Sequence, residues 1–245
     1  MRIGITERGD AGLDLSWIYK LHEVDGAILI TKNANEAFRN AVLTSPKPII
    51  VHATCTGWGG TYMEPAVPFY KQQLDNICKF IDAGFPKNRI VLRIDPIIAY
   101  EDGFERFKMV LDEATALGLI PGVRVRVSFC DNYPHVRNRL LNIGKEPFYN
   151  GRFNVGQSSV WDVQIELMNR DLIVETCAEP AYACEQFKQV GCISETDLAI
   201  MGLAGTQAGV NPQNRHGCLC LNYKYELLNN KARCPHGCLY CYWKG

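Results

Sequence analysis

The stretch AILITKNANEAFRNAVLTSPKPIIVHA, residues 27–53, indicates the fold most directly. It begins and ends with short runs of aliphatic and β-branched residues, and a longer amphipathic segment separates the two runs. Such runs predict buried strands, and a helix between two strands is typical of a βαβ unit, in which the strands are parallel. We therefore expect a parallel sheet covered by helices.

The same alternation continues along the chain. Strands are predicted at Arg2–Thr6, Ala27–Thr31, Pro48–Ala53, Arg89–Asp95, Val123–Phe129 and Leu172–Cys177. Helices are predicted at Leu15–His22, Asn35–Leu43, Pro68–Ala83, Gly103–Ala116, Ser159–Met168 and Glu195–Leu203. One more strand is expected within Leu219–Leu228, and Asp131–Gln157 is expected to be the longest irregular stretch. Polar residues recur just after the strands, which favours an α/β fold with a partial or complete parallel (β/α) barrel over an open sheet.

The composition indicates one soluble domain. A chain of 245 residues has the length of a single-domain α/β barrel, and no linker or repeat divides it, so residues 1–245 are expected to form one domain. The chain starts without a signal-like apolar core, and no apolar run approaches the roughly 18 residues of a membrane helix. We expect a cytoplasmic protein with no membrane partner. The formal net charge of zero gives no general reason to expect nucleic-acid binding.

Eleven cysteines in a chain without a secretory signal favour metal or cluster binding over disulfides. The last three, Cys234, Cys238 and Cys241, have the spacing C-x3-C-x2-C. Three thiolates on a short loop can hold three irons of a [4Fe–4S] cluster and leave the fourth iron open for a ligand that is not protein. The alternative is zinc, which prefers C-x2-C pairs and four protein ligands, with His236 or Cys220 as the fourth ligand.

A second set of cysteines consists of Cys177, Cys192, Cys218 and Cys220. Four thiolates would close a second, fully ligated [4Fe–4S] cluster or a structural zinc site. The alternative is that they are unligated and that Cys177 packs as a small apolar residue at the end of a buried strand. Cys184 is a substitute ligand in this set. The remaining cysteines are expected to bind no metal: Cys55, Cys78 and Cys130.

The tail NPQNRHGCLC, residues 211–220, together with CPHGCLYCY, residues 234–242, resembles the end of a bacterial family known only as a domain of unknown function. Members of that family resemble radical S-adenosylmethionine (SAM) proteins whose cluster motif has moved to the C-terminus. The resemblance implies a radical-SAM-like, circularly permuted barrel with its cluster loop at residues 234–241. The opening segment Thr6–Asp10 matches the family only loosely. Further matching segments are Thr31–Asn33, Glu64–Pro65, Arg93–Pro96, Val127–Phe129 and Glu175–Glu179.

The radical SAM resemblance implies specific roles for the three cysteines, the cluster and SAM. Cys234, Cys238 and Cys241 would ligate three irons, and the amino and carboxylate groups of SAM would bind the fourth. An electron from a donor such as flavodoxin or ferredoxin would cleave SAM to methionine and a 5′-deoxyadenosyl radical, which abstracts hydrogen from the substrate. The outcome would be either an isomerisation or a net oxidation.

Further residues are candidates for holding SAM. Arg93 and Asp95 lie two residues apart at the end of a predicted strand and therefore on the same face. Arg93 could bind the SAM carboxylate through two parallel hydrogen bonds, and Asp95 could accept hydrogen bonds from the ribose hydroxyls. The alternative for both is an ion pair inside the barrel. Glu175 and Glu179 carry the same two interpretations.

The glycine-rich segment after the third predicted strand contains Gly59 and Gly60, and Glu64 follows it closely. These glycines could let the backbone approach the SAM amino group, although an ordinary βα turn explains them equally. The aromatic ring of Tyr240, directly before Cys241, could pack beside the adenine or anchor the C-terminus as a hydrophobic residue.

Cationic and aromatic side chains are concentrated in the segment Arg124–Arg152. It is either a site for a phosphate-bearing substrate with a stackable base or a solvated basic loop. By analogy with phage-encoded radical SAM proteins, the best substrate hypothesis is an amino-acid-bearing thymine in DNA whose side chain is rearranged. A small metabolite, a peptide and RNA are alternatives. The competing class is a zinc-stabilised nucleic-acid-binding protein without catalysis.

Overall fold

The computed structural model describes residues 1–99, 102–146, 157–177, 179, 184–203, 218–222, 224–228 and 234–242. Within these ranges the strands are β1 (Ile3–Ile5), β2 (Gly26–Thr31), β3 (Ile49–Thr54), β4 (Ile90–Ile97), β5 (Arg124–Phe129), β6 (Val174–Cys177), β7 (Phe187–Val190) and β8 (Lys224–Glu226). The α-helices are α1 (Glu36–Leu43), α2 (Tyr70–Asp82), α3 (Gly103–Ala116), α4 (Pro134–Leu141), α5 (Gln157–Asn169) and α6 (Glu195–Ile200). Two 3-10 helices lie at Leu15–Glu23 and Lys87–Arg89.

All eight strands belong to one parallel sheet with the order β7-β6-β5-β4-β3-β2-β1-β8. From β1 to β7 each strand lies beside its predecessor in sequence, as repeated βα units require. The last strand, β8, breaks this order because it returns to pair with β1, with Lys224 opposite Ile3 and Glu226 opposite Ile5. The chain segment after β8 therefore starts beside the first strand of the sheet.

The predicted strands are confirmed, with ends that agree within two residues, and the strand expected within Leu219–Leu228 is β8. One α-helix, one strand and the short 3-10 helix at Lys87–Arg89 were missed. Helix α4 occupies part of the stretch expected to be irregular, and it buries only Val136 and Leu140 at helical spacing. Strand β7 buries only Phe187, so its sequence lacks an apolar alternation. The segment predicted as a first α-helix is a 3-10 helix, and α6 ends before its predicted end.

The two faces of the sheet bury different clusters, because successive side chains of a strand point to opposite faces. Ala27 and Leu29 pack on the face covered by helices, whereas Ile28 and Ile50 pack on the opposite face, which we call the inner face. The inner cluster also contains Leu198 of α6. Each aliphatic side chain buried in this way stabilises the fold by roughly 1.5–3 kcal/mol relative to exposure. Helix α6 thus covers one end of the inner face with apolar residues.

The two edges of the sheet approach each other through the residues that adjoin β7 and β8. The backbone N–H of Leu221 donates to the carbonyl of Ile193 at 3.3 Å, and the N–H of Cys192 donates to the Cys220 sulfur at 3.1 Å. Strand-to-strand pairing between β7 and β8 is absent from the described part of the chain. The architecture is therefore a parallel α/β sheet whose edges are joined by these contacts. No helix in the described ranges has the length and hydropathy needed to cross a membrane.

A polar layer lies on the inner face beyond the apolar cluster. Arg126 is fully buried and donates to Glu175 at 2.6 and 2.9 Å. Arg124 donates to Glu175 at 3.0 Å and to Asp197 at 2.8 Å. Buried charges are tolerated when they are paired and hydrogen-bonded in this way. This network fixes β5, β6 and the start of α6 relative to one another.

His52 of β3 is buried next to this layer, and neither ring nitrogen has a hydrogen-bond partner. Burial, followed by the charges of Arg126, Arg93 and Arg124, lowers the pKa of His52 well below its ordinary value. The folded protein therefore keeps His52 neutral while the unfolded chain takes up a proton below about pH 6.5. This residue makes the fold less stable as the pH falls, by about 1.4 kcal/mol per pH unit.

We predict that His52→Leu is neutral or stabilising at pH 7.5 and reduces the loss of stability between pH 7 and pH 5. The physical reason is that leucine removes two unpaired polar atoms and the proton uptake that only the unfolded chain performs. Urea denaturation at several pH values measures this effect. The exposed His22 serves as the control, and His22→Asn should keep the wild-type pH profile. If the His52 variant had the same pH dependence of stability as the wild type, His52 would not be the group that takes up a proton on unfolding.

Candidate functional site

The cysteine loop, residues 234–242, lies at the carboxyl end of the parallel strands. The N–H of Leu239 donates to the carbonyl of Met63, in the loop after β3, at 3.0 Å. Arg139 of α4, which follows β5, donates to the carbonyl of Cys241 at 2.6 Å. Cys238 packs in a hydrophobic cluster with side chains from the loops after β3, β4 and β5. The loop therefore covers the end of the sheet where ligand sites of parallel α/β folds lie.

The carboxylate of Asp10, in the loop after β1, holds this arrangement together. It accepts hydrogen bonds from the N–H of Gly12 at 2.8 Å, the hydroxyl of Thr31 at 2.6 Å and the N–H of Lys32 at 2.6 Å. Nε2 of His236 lies 2.8 Å from the same carboxylate. Asp10 thus joins the ends of β1 and β2 to the cysteine loop.

His236 is engaged on both sides of its ring. Its Nδ1 lies 3.0 Å from the carbonyl of Ala66, and its Nε2 contacts Asp10. Both ring nitrogens are therefore engaged with protein oxygen atoms. His236 is therefore not placed to complete a zinc site with the loop cysteines. Cys220, the other candidate fourth ligand, lies with Cys177 and Cys192 near the edges of the sheet.

A second anchor of the loop is a buried cluster of Lys32, Glu64 and Tyr240. Lys32 Nζ lies 2.8 Å from Glu64 and 2.7 Å from the Tyr240 hydroxyl, which donates to Glu64. Burial and the negative charge of Glu64 raise the pKa of Tyr240 well above its ordinary value, so the phenol stays protonated. Burial alone would lower the pKa of Lys32, but Glu64 and weaker neighbouring charges outweigh it and raise that pKa. Lys32, Glu64 and Tyr240 therefore hold a charged ammonium beside the cysteine loop.

The three loop thiols lie close enough for their charges to influence one another. Burial raises the pKa of Cys238 to about 12, and nearby Lys32 acts in the opposite direction. Burial also raises the pKa of Cys234. Metal binding at this loop therefore has to release protons from its thiols. A cavity of about 310 Å³ adjoins the loop, lined by Arg8, Gly9, Asp10, Leu13, Asp14, Leu15, Cys234 and Pro235.

The donor set of the loop fits an iron–sulfur cluster with one open iron better than a four-ligand zinc site. The described residues offer three thiols here, while His236 contacts Asp10 and Ala66, and Cys220 lies with the second cysteine set. The adjoining cavity provides space at Cys234, and Gly237 has φ 63°, a conformation that glycine adopts without strain. In the described ranges, no three His, Cys, Asp or Glu side chains already share one metal-ion position.

The glycine-rich segment after β3 folds back on Glu64. The N–H of Gly60 donates to the carbonyl of Glu64 at 3.1 Å, and Gly59 pairs with Glu64 in a short parallel bridge. A Cβ at Gly59 would lie 2.0 Å from the carbonyl of Pro68, so only glycine fits there. The structure therefore shows the turn role of these glycines, and it brings Glu64 to the cysteine loop through Tyr240.

Arg93 and Asp95 form an ion pair on the inner face, which is the alternative that the sequence left open. Asp95 also accepts from the Ser128 hydroxyl at 2.5 Å. Burial opposes its charge, but Arg93 and the hydrogen bonds outweigh burial and lower the pKa of Asp95. Glu175 lies in the buried network with β5, and Glu179 accepts from the N–H of Phe129 at 3.1 Å.

The second cysteine set is also brought together. Sulfur atoms of Cys177 and Cys192 lie 3.6 Å apart, and the Cys220 thiol interacts with both. Hydrogen bonds from these two thiols lower the pKa of Cys220 to about 7, against opposing effects of Cys218 and burial. Cys184 does not join this group; its sulfur contacts Gln164 and Gln186 instead.

The basic segment differs from the sequence expectation. Arg124 and Arg126 pair with acidic groups inside the fold and do not form a basic surface. Arg139 donates to the cysteine loop, and Lys145 lies over the ring of Tyr62. Residues 147–156 lie outside the described residues. The interpretation as a solvated basic loop is therefore wrong for Arg124 and Arg126.

The sequence matches, over residues 16–243, the family described as "Domain of unknown function (DUF1848)". The chain belongs to the DUF1848 family. No curated protein matches it. The DUF1848 match includes Lys32, Glu64 and the cysteine loop, whereas Asp10 lies before its first residue.

Sequence reasoning did not identify the role of three residues that hold the candidate site together. Asp10 lies in the Thr6–Asp10 segment, whose loose match gave no reason to single out its carboxylate. Arg139 was counted among the basic residues, and His236 was considered only as a zinc ligand. Their partners lie far away in sequence, 226 residues for the Asp10–His236 contact and 102 for Arg139–Cys241. Local spacing carries no signal for such pairs.

We predict that Tyr240→Phe destabilises the protein by about 1–2 kcal/mol, because it removes the hydroxyl that donates to buried Glu64 and leaves the ring in place. Urea denaturation measures the change. Tyr242→Phe is the matched control, since the Tyr242 side chain is half exposed and its loss should stay within about 0.5 kcal/mol. Equal effects of the two substitutions would show that the buried cluster does not anchor the loop.

Proposed function

We propose that the protein is a radical SAM enzyme whose [4Fe–4S] cluster is held by Cys234, Cys238 and Cys241. The observation that carries this proposal is the three-thiol loop at the carboxyl end of a parallel sheet, with its candidate fourth ligands engaged elsewhere. When bound, the cluster and SAM together supply reductive cleavage of SAM and a 5′-deoxyadenosyl radical that takes hydrogen from a substrate.

The chain's own residues hold and shield this site. Asp10 and His236 fix the loop over the sheet, and Lys32, Glu64 and Tyr240 add a second set of contacts. The half-buried Lys32 ammonium also places positive charge beside thiolates that would carry negative charge in the loaded site. A site held by such fixed groups orients reactants and excludes water.

The topology supports a circularly permuted radical SAM barrel. Strand β8 comes last in the chain but pairs beside β1, and the cysteine loop follows it. In this proposal β8 and the loop form the first βα unit of the barrel, and the chain supplies them last. The joined sheet edges are consistent with a partial barrel.

SAM is proposed to bind next to the loop on the inner face. Arg93 and Asp95 would contact its carboxylate and ribose, and both side chains retain slight exposure at the end of β4. Tyr240 lies at the loop beside Lys32, and in this proposal its ring would pack against the adenine. The backbone of Gly59 and Gly60 would approach the SAM amino group, with Glu64 as the nearby carboxylate.

The substrate proposal is an amino-acid-bearing thymine in DNA, with side-chain rearrangement, and the electron donor proposal is flavodoxin or ferredoxin. The substrate proposal is supported by analogy with phage-encoded radical SAM proteins. The alternative substrates are a small metabolite, a peptide and RNA, and each would lose a hydrogen atom to the same radical. The test must therefore identify the abstracted hydrogen.

We predict that the anaerobically purified protein contains about four irons for the loop cluster and converts SAM to 5′-deoxyadenosine after reduction. Cys238→Ala should abolish this cleavage and remove about four irons, because a ligand of the cluster is lost. Cys78→Ala, on α2, is the control and should retain both properties. A colourless zinc protein without SAM cleavage would favour the zinc-stabilised binding protein, and activity in the Cys238 variant would refute the ligand assignment.

We further predict that deuterium moves from the correct substrate into 5′-deoxyadenosine. Reduced protein is incubated with SAM and deuterated candidates: modified thymine in DNA, the free nucleotide, RNA and peptides. Mass spectrometry then follows the label into 5′-deoxyadenosine and product. Deuterium transfer from modified DNA alone supports the thymine proposal. Transfer from another candidate contradicts it and identifies that candidate as the substrate.

A further inference from the structure

The four thiols of Cys177, Cys192, Cys218 and Cys220 form a group that the loop chemistry does not use. Cys177 ends β6, Cys192 follows β7, and the other two precede β8. The Cys177 and Cys192 sulfurs lie 3.6 Å apart, and the Cys220 thiol interacts with those of Cys177, Cys192 and Cys218. Three separate segments of the chain therefore bring four potential thiolate ligands together.

The backbone around these thiols is closely packed. A Cβ at Gly191 would lie within 2.7 Å of backbone atoms of Leu219 and Cys220, so only glycine permits this approach. The N–H of Cys192 donates to the Cys220 sulfur at 3.1 Å, and N–H···S hydrogen bonds of this kind stabilise and tune thiolate metal centres. Arg126 donates to the carbonyl of Gly191 at 3.1 Å and fixes the same turn.

We propose that these four cysteines bind a closed, four-thiolate metal centre, either one zinc ion or one [4Fe–4S] cluster, that ties the two edges of the sheet together. The Cys177–Cys192 sulfur distance is close to the roughly 3.8 Å between two thiolates of a tetrahedral zinc with bonds of about 2.3 Å. A cluster holds four thiolates in the same tetrahedral directions at larger separation.

The location gives this centre a structural role. In the described ranges β7 and β8 are the sheet edges, and they are linked by contacts of the residues beside them, not by strand pairing. A metal ligated by Cys177 and Cys192 on one side and by Cys218 and Cys220 on the other replaces that pairing with metal–sulfur bonds. Its four ligands are distinct from Cys234, Cys238 and Cys241, so metal binding there does not require the loop cysteines.

The test uses the full chain with the loop ligands removed, Cys234→Ala, Cys238→Ala and Cys241→Ala, purified without oxygen. This variant should retain one zinc, or about four irons with sulfide, per chain. Adding Cys218→Ala and Cys220→Ala should remove that metal, whereas adding Cys184→Ala should not. Zinc without colour and iron with cluster absorption identify which of the two metals is bound. Metal content of the loop variant does not depend on SAM cleavage, so this proposal and the proposed function can fail separately.

Two measurements remain decisive if the five-alanine variant does not fold. X-ray absorption of the loop variant should show four sulfur neighbours at about 2.3 Å around zinc, or an iron–sulfur cluster spectrum. Chelation should increase amide hydrogen exchange at Cys192 and Leu221 and leave α2 unchanged. A loop variant that folds without metal, or a Cys177–Cys192 disulfide in peptides from the oxygen-free protein, overturns the proposal.

Discussion

The structure depends on the buried carboxylate of Asp10. A carboxylate out of water needs partners for its oxygens, since an unpaired buried charge is strongly unfavourable. Asp10 finds them in the loop after β1, at the end of β2 and in His236 of the cysteine loop. One carboxylate therefore links three segments of the chain and holds His236, and with it the cysteine loop, at the carboxyl end of the sheet.

The inner face of the sheet divides into regions with different chemistry. Apolar residues from the first strands pack with α6 at one end. Paired charges of Arg124, Arg126, Glu175 and Asp197 form the layer beyond it. The Arg93–Asp95 pair lies at the end of β4, and the cysteine loop packs over the loops that follow the strands. This order leaves charged and thiol groups at the end of the sheet where parallel α/β folds generally have their ligand sites.

Much of the fold follows from local pattern. Short aliphatic runs separated by amphipathic segments predicted the strands from β1 to β6 and the expectation of a parallel sheet, because strand burial and helix periodicity are local properties. Strand β7 and helix α4 escaped this reasoning because each buries few apolar side chains. The topology added a fact that no window of sequence contains, namely that β8 pairs with β1.

The candidate site was likewise predicted only in part from the sequence. Spacing alone selected Cys234, Cys238 and Cys241 as one ligand set, because ligands on a short loop are necessarily near one another. The sequence also named the second set of four cysteines, but only tertiary structure could bring Cys177, Cys192 and Cys220 into contact.

Tertiary structure also decided what the charged residues do. It placed Arg124 and Arg126 inside the fold and gave His236 its partner Asp10, 226 residues away. The sequence by itself determined the parallel α/β class and the two sets of potential metal ligands. The physical reason for the division is range: periodicity and spacing report local geometry, whereas burial of a charge is settled by partners that the whole fold brings together.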